Sequence, residues 1–132
     1  MTAYASTSHA SYRESAILTA PPEQLVIMLY DGAHRFLLQS AAAMREGHAA
    51  EAGERLGRAT AIIDELQCTL DLDAGEVAER LNGIYVFCRR HLAEGLCERD
   101  PEKLDRVDAL LRELREAFAH VAAAAPSASA AA

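Results

Sequence analysis

The stretch PPEQLVIMLYDGAHRFLLQSAAAMREG, Pro21 to Gly47, decides the fold. Two prolines open it. Proline is tolerated at the first helical position, because its missing N–H would have no intrahelical partner there. Glu23 follows, placing negative charge where the helix dipole favours it. Gly47 is a good left-handed stop. Between these signals apolar residues recur by threes and fours, which predicts a helix over about Pro22 to Glu46. On a wheel of about 100° per residue, Leu25, Met28, Leu29, Gly32, Phe36 and Ala43 form one stripe. They are read as the core face. Val26, Tyr30 and Leu37 form a second stripe more than a quarter-turn away, and Ile27 and Leu38 lie further round. A helix apolar almost all round is either central or covers a partner. No helix is central in a plain four-helix bundle. The surplus stripe therefore calls for a cover: the N-terminal segment, a second subunit or a client. The alternative is wider packing by neighbouring helices, since monomers expose single apolar residues.

The rest of the chain continues in the same manner. A second helix is predicted from about Ala49 to Asp71, its core face Ala52, Leu56, Ala59, Ile63, Leu66 and Leu70. Asp71 to Gly75 reads as a turn. A third helix runs from about Glu76 to Cys97, with Val77, Leu81, Ile84, Cys88 and Leu92 on one side. Tyr85 and Phe87 flank that side, and Val86 opposes it. Asp100-Pro101 is a strong start signal: a side-chain acceptor, then a residue whose missing N–H costs nothing. A fourth helix presents Leu104, Val107, Leu111, Leu114, Phe118 and Val121. β-branched residues never alternate, so no strand is predicted. The expectation is an all-α chain: an antiparallel four-helix bundle over 21–122, with an extra N-terminal segment, 1–20, packed on it as a partly mobile cover. The Ala/Ser stretch 123–132 has nothing to bury and is expected to be disordered.

Composition narrows the function. The chain of 132 residues has one domain's length, with 51% hydrophobic and 25% charged residues, an ordinary globular balance. Thirteen basic against twenty acidic residues leave a net charge of −7. That balance argues against nucleic acid and against an anionic membrane surface as partners. No apolar run is long enough to span a bilayer, and no secretory signal is visible at Met1 to Ser8. Three widely spaced cysteines, Cys68, Cys88 and Cys97, fit reduced thiols in a cytosol better than a disulfide framework.

Catalytic signals are missing. Cys88 and His91 share a helix face, but a zinc site needs two further ligands at matching geometry, and no metal or other cofactor is expected. The serines cluster in the termini, away from any plausible base. Gly32, Gly47 and Gly57 are isolated and make no phosphate loop. Arg89, Arg90 and His91 form a small basic spot, read as a solvated face with local ion pairs or a seat for an acidic client group. Gly32 inside a helix costs stability, so a close neighbour is expected beside it.

Thr19-Ala20-Pro21-Pro22-Glu23-Gln24-Leu25-Val26, followed by Met28-Leu29-Tyr30-Asp31-Gly32-Ala33, resembles the opening of the flagellar secretion chaperone family, FliS. Matching stretches continue in the second helix at Arg58-Ala59, Ile62-Ile63-Asp64-Glu65-Leu66 and Thr69-Leu70-Asp71. The third matches at Gly75-Glu76-Val77-Ala78, Leu81, Tyr85 and Arg90, and the fourth at Val107, Leu110 and Leu111. The resemblance covers roughly Tyr12 to Val121. The chain departs from the family pattern at Pro21, His48, His91 and Phe118. These affect caps and rim rather than fold.

The resemblance implies a non-enzymatic cytoplasmic chaperone. It would bind the disordered C-terminal segment of flagellin in hydrophobic grooves, prevent premature polymerisation and assist delivery to the flagellar export gate. It also implies that the N-terminal segment covers part of that surface, with Tyr12, Ile17 and Leu18 as the expected cover. Val26, Ile27, Tyr30 and Leu37 are the expected groove residues, with Ile62, Tyr85 and Val86 beside them. Two alternatives stand. One is a histidine phosphotransfer bundle using His91, in which Glu94 would stand where that family has lysine. The other is a homodimer in which the surplus stripe meets its own copy.

Overall fold

A computed structural model describes residues 22–124. Four helices follow one another: α1 Pro22–Arg45, α2 Ala49–Cys68, α3 Glu76–Glu98 and α4 Pro101–Ala124. A 3-10 turn, Leu72–Ala74, precedes α3, and no strand occurs among the described residues. The chain is the all-α four-helix bundle that its periodicity predicts. The expected cover residues Tyr12, Ile17 and Leu18 lie outside the described residues, as does the tail from 125 onward.

Local chemistry marks several of the helix boundaries. Gly47 takes a left-handed φ of 78° after α1. Its N–H donates to the Met44 carbonyl at 3.2 Å, and the His48 N–H donates to Ala43 at 2.8 Å. Carbonyls that would otherwise be orphaned are thereby satisfied. The Asp71 carboxylate accepts from the Asp73 N–H at 3.1 Å and starts the 3-10 turn. Arg99 closes α3 in the left-handed region at φ 55°, while the Asp100 N–H donates to Gly95 at 2.8 Å. The Asp100 side chain then accepts from the Glu102 N–H at 3.0 Å, capping α4 ahead of Pro101.

Short connections make sequential helices antiparallel neighbours. Contacts between them follow that order. The Ser40 hydroxyl donates to the Ala52 carbonyl at 2.7 Å between α1 and α2. Gln67 donates to Asn82 at 2.7 Å between α2 and α3, and Lys103 reaches Glu94 at 3.2 Å between α4 and α3. Arg115 on α4 pairs with Asp31 on α1 at 2.9 Å. Helix α1 thus sits between α2 and α4, with α3 diagonally opposite, and the backbones approach most closely on the two sides of α1.

The core face of α1 is not the one the wheel suggests. Tyr30, Ala33, Leu37 and Ala41 are buried to within 1% of full exclusion. Leu25, Leu29 and Phe36, read as core, are only half-buried, and Met28 is 41% exposed. Tyr30 and Leu37 of the expected groove stripe therefore point inward, while the large residues of the expected core stripe turn outward and only its small members Gly32 and Ala43 stay buried. Two physical reasons account for the exchange. Large side chains weight a wheel, but close helix packing selects small ones, and Ala33, Ser40 and Ala41 mark the inward face. Tyrosine's hydroxyl also suggests a wet position, yet Tyr30 and Tyr85 satisfy each other across the core at 2.5 Å. Val77 and Val121, expected on core faces, are exposed because they lie in terminal turns.

Candidate functional site

On the outer side of the α1–α2 contact runs a groove of about 330 Å³. Leu25, Leu29 and Phe36 form its α1 wall, and Arg58, Ala61, Ile62, Glu65 and Thr69 its α2 wall. Gly32 explains its floor. A Cβ there would lie 3.1 Å from Ile62 Cδ1, so the missing side chain lets the helices close beneath the groove. One turn away on either side, Leu29 and Phe36 hold the upper edges apart. The guanidinium carbons of Arg35 and Arg58 stand 5.7 and 5.8 Å from the Phe36 ring centroid. The groove is apolar at its base and charged at its rim. It offers apolar surface to a side-chain face and contains no nucleophile–base pair.

The structure distributes the sequence-predicted residues unevenly. Ile62 is 6% exposed and lies in the groove wall. Tyr30, Leu37 and Tyr85, expected in the groove, are core residues at 1% exposure and present nothing to a partner. That is a correction: the α1 face carrying Tyr30 and Leu37 turns inward, and Tyr85 on α3 is buried where its hydroxyl meets Tyr30's. Val26 and Ile27 are half-buried, with Val26 packed against the core. Val86 is exposed on α3, diagonally across from α1. Leu25, Leu29, Phe36 and Ala61 were missed as groove residues. Gly32 carried the available signal: a helical glycine marks a close crossing, and the large residues a turn either side of it border that crossing.

Burial governs the titratable groups of the core. Desolvation pushes the Tyr30 and Tyr85 phenols above their ordinary value. It also pushes the Cys88 thiol up to about 11. All three described cysteines are free, with Cys68 and Cys97 exposed. Among the described residues no cluster of His, Cys, Asp and Glu could hold a metal ion.

Two other places lack the properties of a site. A cleft of about 470 Å³ between α1 and α4 is lined by Tyr30, Asp31, His34, Ala109 and the charged residues Arg112 to Glu116 except Leu114. Within it Arg115 pairs with Asp31, and His34 Nδ1 hydrogen-bonds Asp108 at 2.7 Å just beneath. His91 stacks on Phe87 with centroids 5.2 Å apart, and its Nε2 is buried without a partner. Its Nδ1 lies 3.8 Å from Glu94. A phosphoryl acceptor needs an accessible ring nitrogen free of neighbouring negative charge, so the phosphotransfer reading fails on both counts. Arg89 of the basic spot is held by Asp64 at 3.1 Å, as a solvated ion pair.

Comparison with known proteins adds the family. The sequence model described as "Flagellar protein FliS" matches residues 4–125. The flagellar secretion chaperone FliS of Vibrio cholerae is 36% identical over 106 residues, covering 80% of this chain and 78% of that one. Its counterpart in Salmonella typhimurium is 34% identical over 110 residues, 82% of each chain. The Bacillus subtilis chaperone is 27% identical over 110 residues, covering 83% of this chain and 82% of its own. Those names describe chaperones and not enzymes. With a match running through all four helices, the chain belongs to the FliS family of flagellar secretion chaperones.

Proposed function

We propose that this protein holds the disordered C-terminal segment of flagellin in the α1–α2 groove, keeps it from polymerising in the cytoplasm, and helps deliver it to the flagellar export gate. The observation that carries the reading is an open apolar groove, walled by Leu25, Leu29, Phe36 and Ile62, on a flagellar secretion chaperone. A flagellin tail assembles by burying apolar helix faces. A chaperone that keeps it soluble must offer substitute apolar surface, and helix-in-groove docking supplies it. Ordering a disordered client costs several kcal/mol, so the client must wrap a surface larger than one groove. The exposed Met28, Val86 and Phe87 are candidate extensions. In this reading Tyr12, Ile17 and Leu18 of the N-terminal segment compete with the client for the groove.

Calorimetric titration with a peptide of the flagellin C-terminus from the same bacterium tests the reading. The expected result is saturable one-to-one binding with a negative heat-capacity change. Leu29→Ser and Phe36→Ser each weaken binding by about tenfold, or about 1.4 kcal/mol, with helical circular dichroism retained. Removing residues 1–20 strengthens binding. A folded protein that binds no peptide, with or without residues 1–20, refutes the proposal. Concentration-dependent dimerisation blocked by Phe36→Ser would favour a second copy as the occupant.

A further inference from the structure

Two guanidinium groups stand near one aromatic ring at one end of the groove, and one of them, Arg58, lines the groove itself. Arg35 on α1 and Arg58 on α2 both lie within 6 Å of the Phe36 ring centroid. Arg58 has a carboxylate partner in Glu54, at 3.2 Å one turn back on its own helix. Among the described residues no carboxylate lies within ion-pair distance of Arg35. A phenyl ring attracts a cation through its quadrupole but cannot neutralise two. Positive potential is thus concentrated over an apolar wall, on a chain whose overall charge is −7.

The other end differs. Glu65 and Thr69 line the groove beside Leu25 and Leu29, two turns along α2 from Arg58. The groove is therefore electrostatically polar along its length, positive at Phe36 and negative towards Leu25. Seven helical residues separate Arg58 from Glu65, about 10 Å of rise. Such a gradient distinguishes the two directions in which an apolar segment could lie.

We infer that the groove reads a carboxylate: its occupant carries an Asp or Glu beside its apolar face, seated at the Phe36 end within reach of Arg58 and Arg35. This fixes both the register and the direction of the bound segment. The inference rests on the flagellin-binding reading and specifies what that site recognises. Guanidinium pairs bind carboxylates through planar, charge-assisted hydrogen bonds, and the flanking ring and Ile62 reduce solvent screening.

The test pairs variants of the chaperone with variants of the flagellin C-terminal peptide. Arg35→Gln and Arg58→Gln are made singly and together, and each peptide Asp or Glu is replaced in turn by its amide. Both arginines are exposed, so folding is retained and is checked by circular dichroism. The double variant is expected to bind the native peptide about tenfold more weakly, with a flatter salt dependence. One amide peptide should lose the same factor against the native chaperone and nothing further against the double variant. Arg58→Lys with Arg35 intact should restore part of the loss. Equal losses for every peptide would assign the effect to packing on Phe36 and overturn the anchor. Unchanged affinity in the double variant would overturn it while leaving the groove as the client site. Tighter binding in the double variant would also overturn it, since the two arginines would then oppose the client instead of holding it. No binding by the native chaperone would overturn the functional reading itself.

Discussion

Tyr30 and Tyr85 bury their rings in the core and hydrogen-bond each other across it, with Tyr30 also lying 5.7 Å from the Phe118 ring. Removing one hydroxyl leaves the other buried without that partner, which costs about 1–3 kcal/mol. Removing both leaves an all-apolar contact. Urea denaturation of Tyr30→Phe, Tyr85→Phe and the double variant should therefore show each single change as more damaging than the pair. The same burial sets a pH dependence. Cys88 titrates at about 11 in the folded protein against an ordinary 9.0, and the two tyrosines also lie above their ordinary value. Above pH 9 the unfolded chain therefore holds fewer protons than the folded one, and stability falls as pH rises. Nothing is lost below that point. For Cys88 alone the loss approaches about 2 kcal/mol by pH 11, and the tyrosines add to it in the same direction. Thermal melts at pH 8 and pH 10.5 check the sign, and Cys88→Ala should reduce the slope.

At the level of the helices, glycine has opposite meanings in different places. Gly57 lies inside α2 with nothing within 4 Å of where a Cβ would sit. Alanine there restricts the unfolded chain and meets no obstacle, so Gly57→Ala should stabilise by about 0.5–1 kcal/mol. Gly95 lies where α3 meets α4, and a Cβ there would come 2.8 Å from Leu104 Cδ1 and 3.2 Å from the Asp100 carbonyl. The backbone oxygen belongs to the turn that caps α4 and cannot yield easily. Gly95→Ala should therefore destabilise by about 1–3 kcal/mol despite its better helix propensity. Parallel thermal melts of the two variants decide whether packing or propensity governs each site. Helix starts and stops were largely legible beforehand. Gly47, Asp71 and Asp100-Pro101 each act through their own side chain or backbone freedom. Arg99 was not legible as a left-handed cap, because a non-glycine residue there is selected by the turn and not by its own preference.

Across the whole molecule, α1 is the shared element and α3 the outlying one. Helix α3 also carries exposed Val77, Val86, Phe87 and Leu96. It buries Tyr85, Cys88 and Leu92 in the shared core, and polar ties to α2 run through Gln67 with Asn82 and Arg89 with Asp64. Local stability follows the density of buried contacts, so α3 should open before α1. Native-state hydrogen exchange is expected to show protection in α3 at least about tenfold below that at the centre of α1. Equal protection would mean that the bundle opens only as one cooperative unit. A groove built between α1 and α2 consequently stands on the firmest pair in the fold.

Much about this protein follows from its amino acids taken in order. Helix-forming composition, periodicity of 3.6 and local caps determine four helices, their approximate ends and their antiparallel order. The ordered matches through all four helices place it in its family. Two apolar stripes on α1 were equally plain. Which of them faces the core was decided only by the tertiary structure. Periodicity sets where a side chain lies around its helix, but the neighbours determine which sector is inside. Here Ala33, Ser40 and Ala41 permit the close approach of α2 and α4, and Tyr85 supplies the partner that lets Tyr30 be buried. With that face sealed, Leu25, Leu29 and Phe36 remain outside, and the groove forms where Gly32 draws Ile62 towards them.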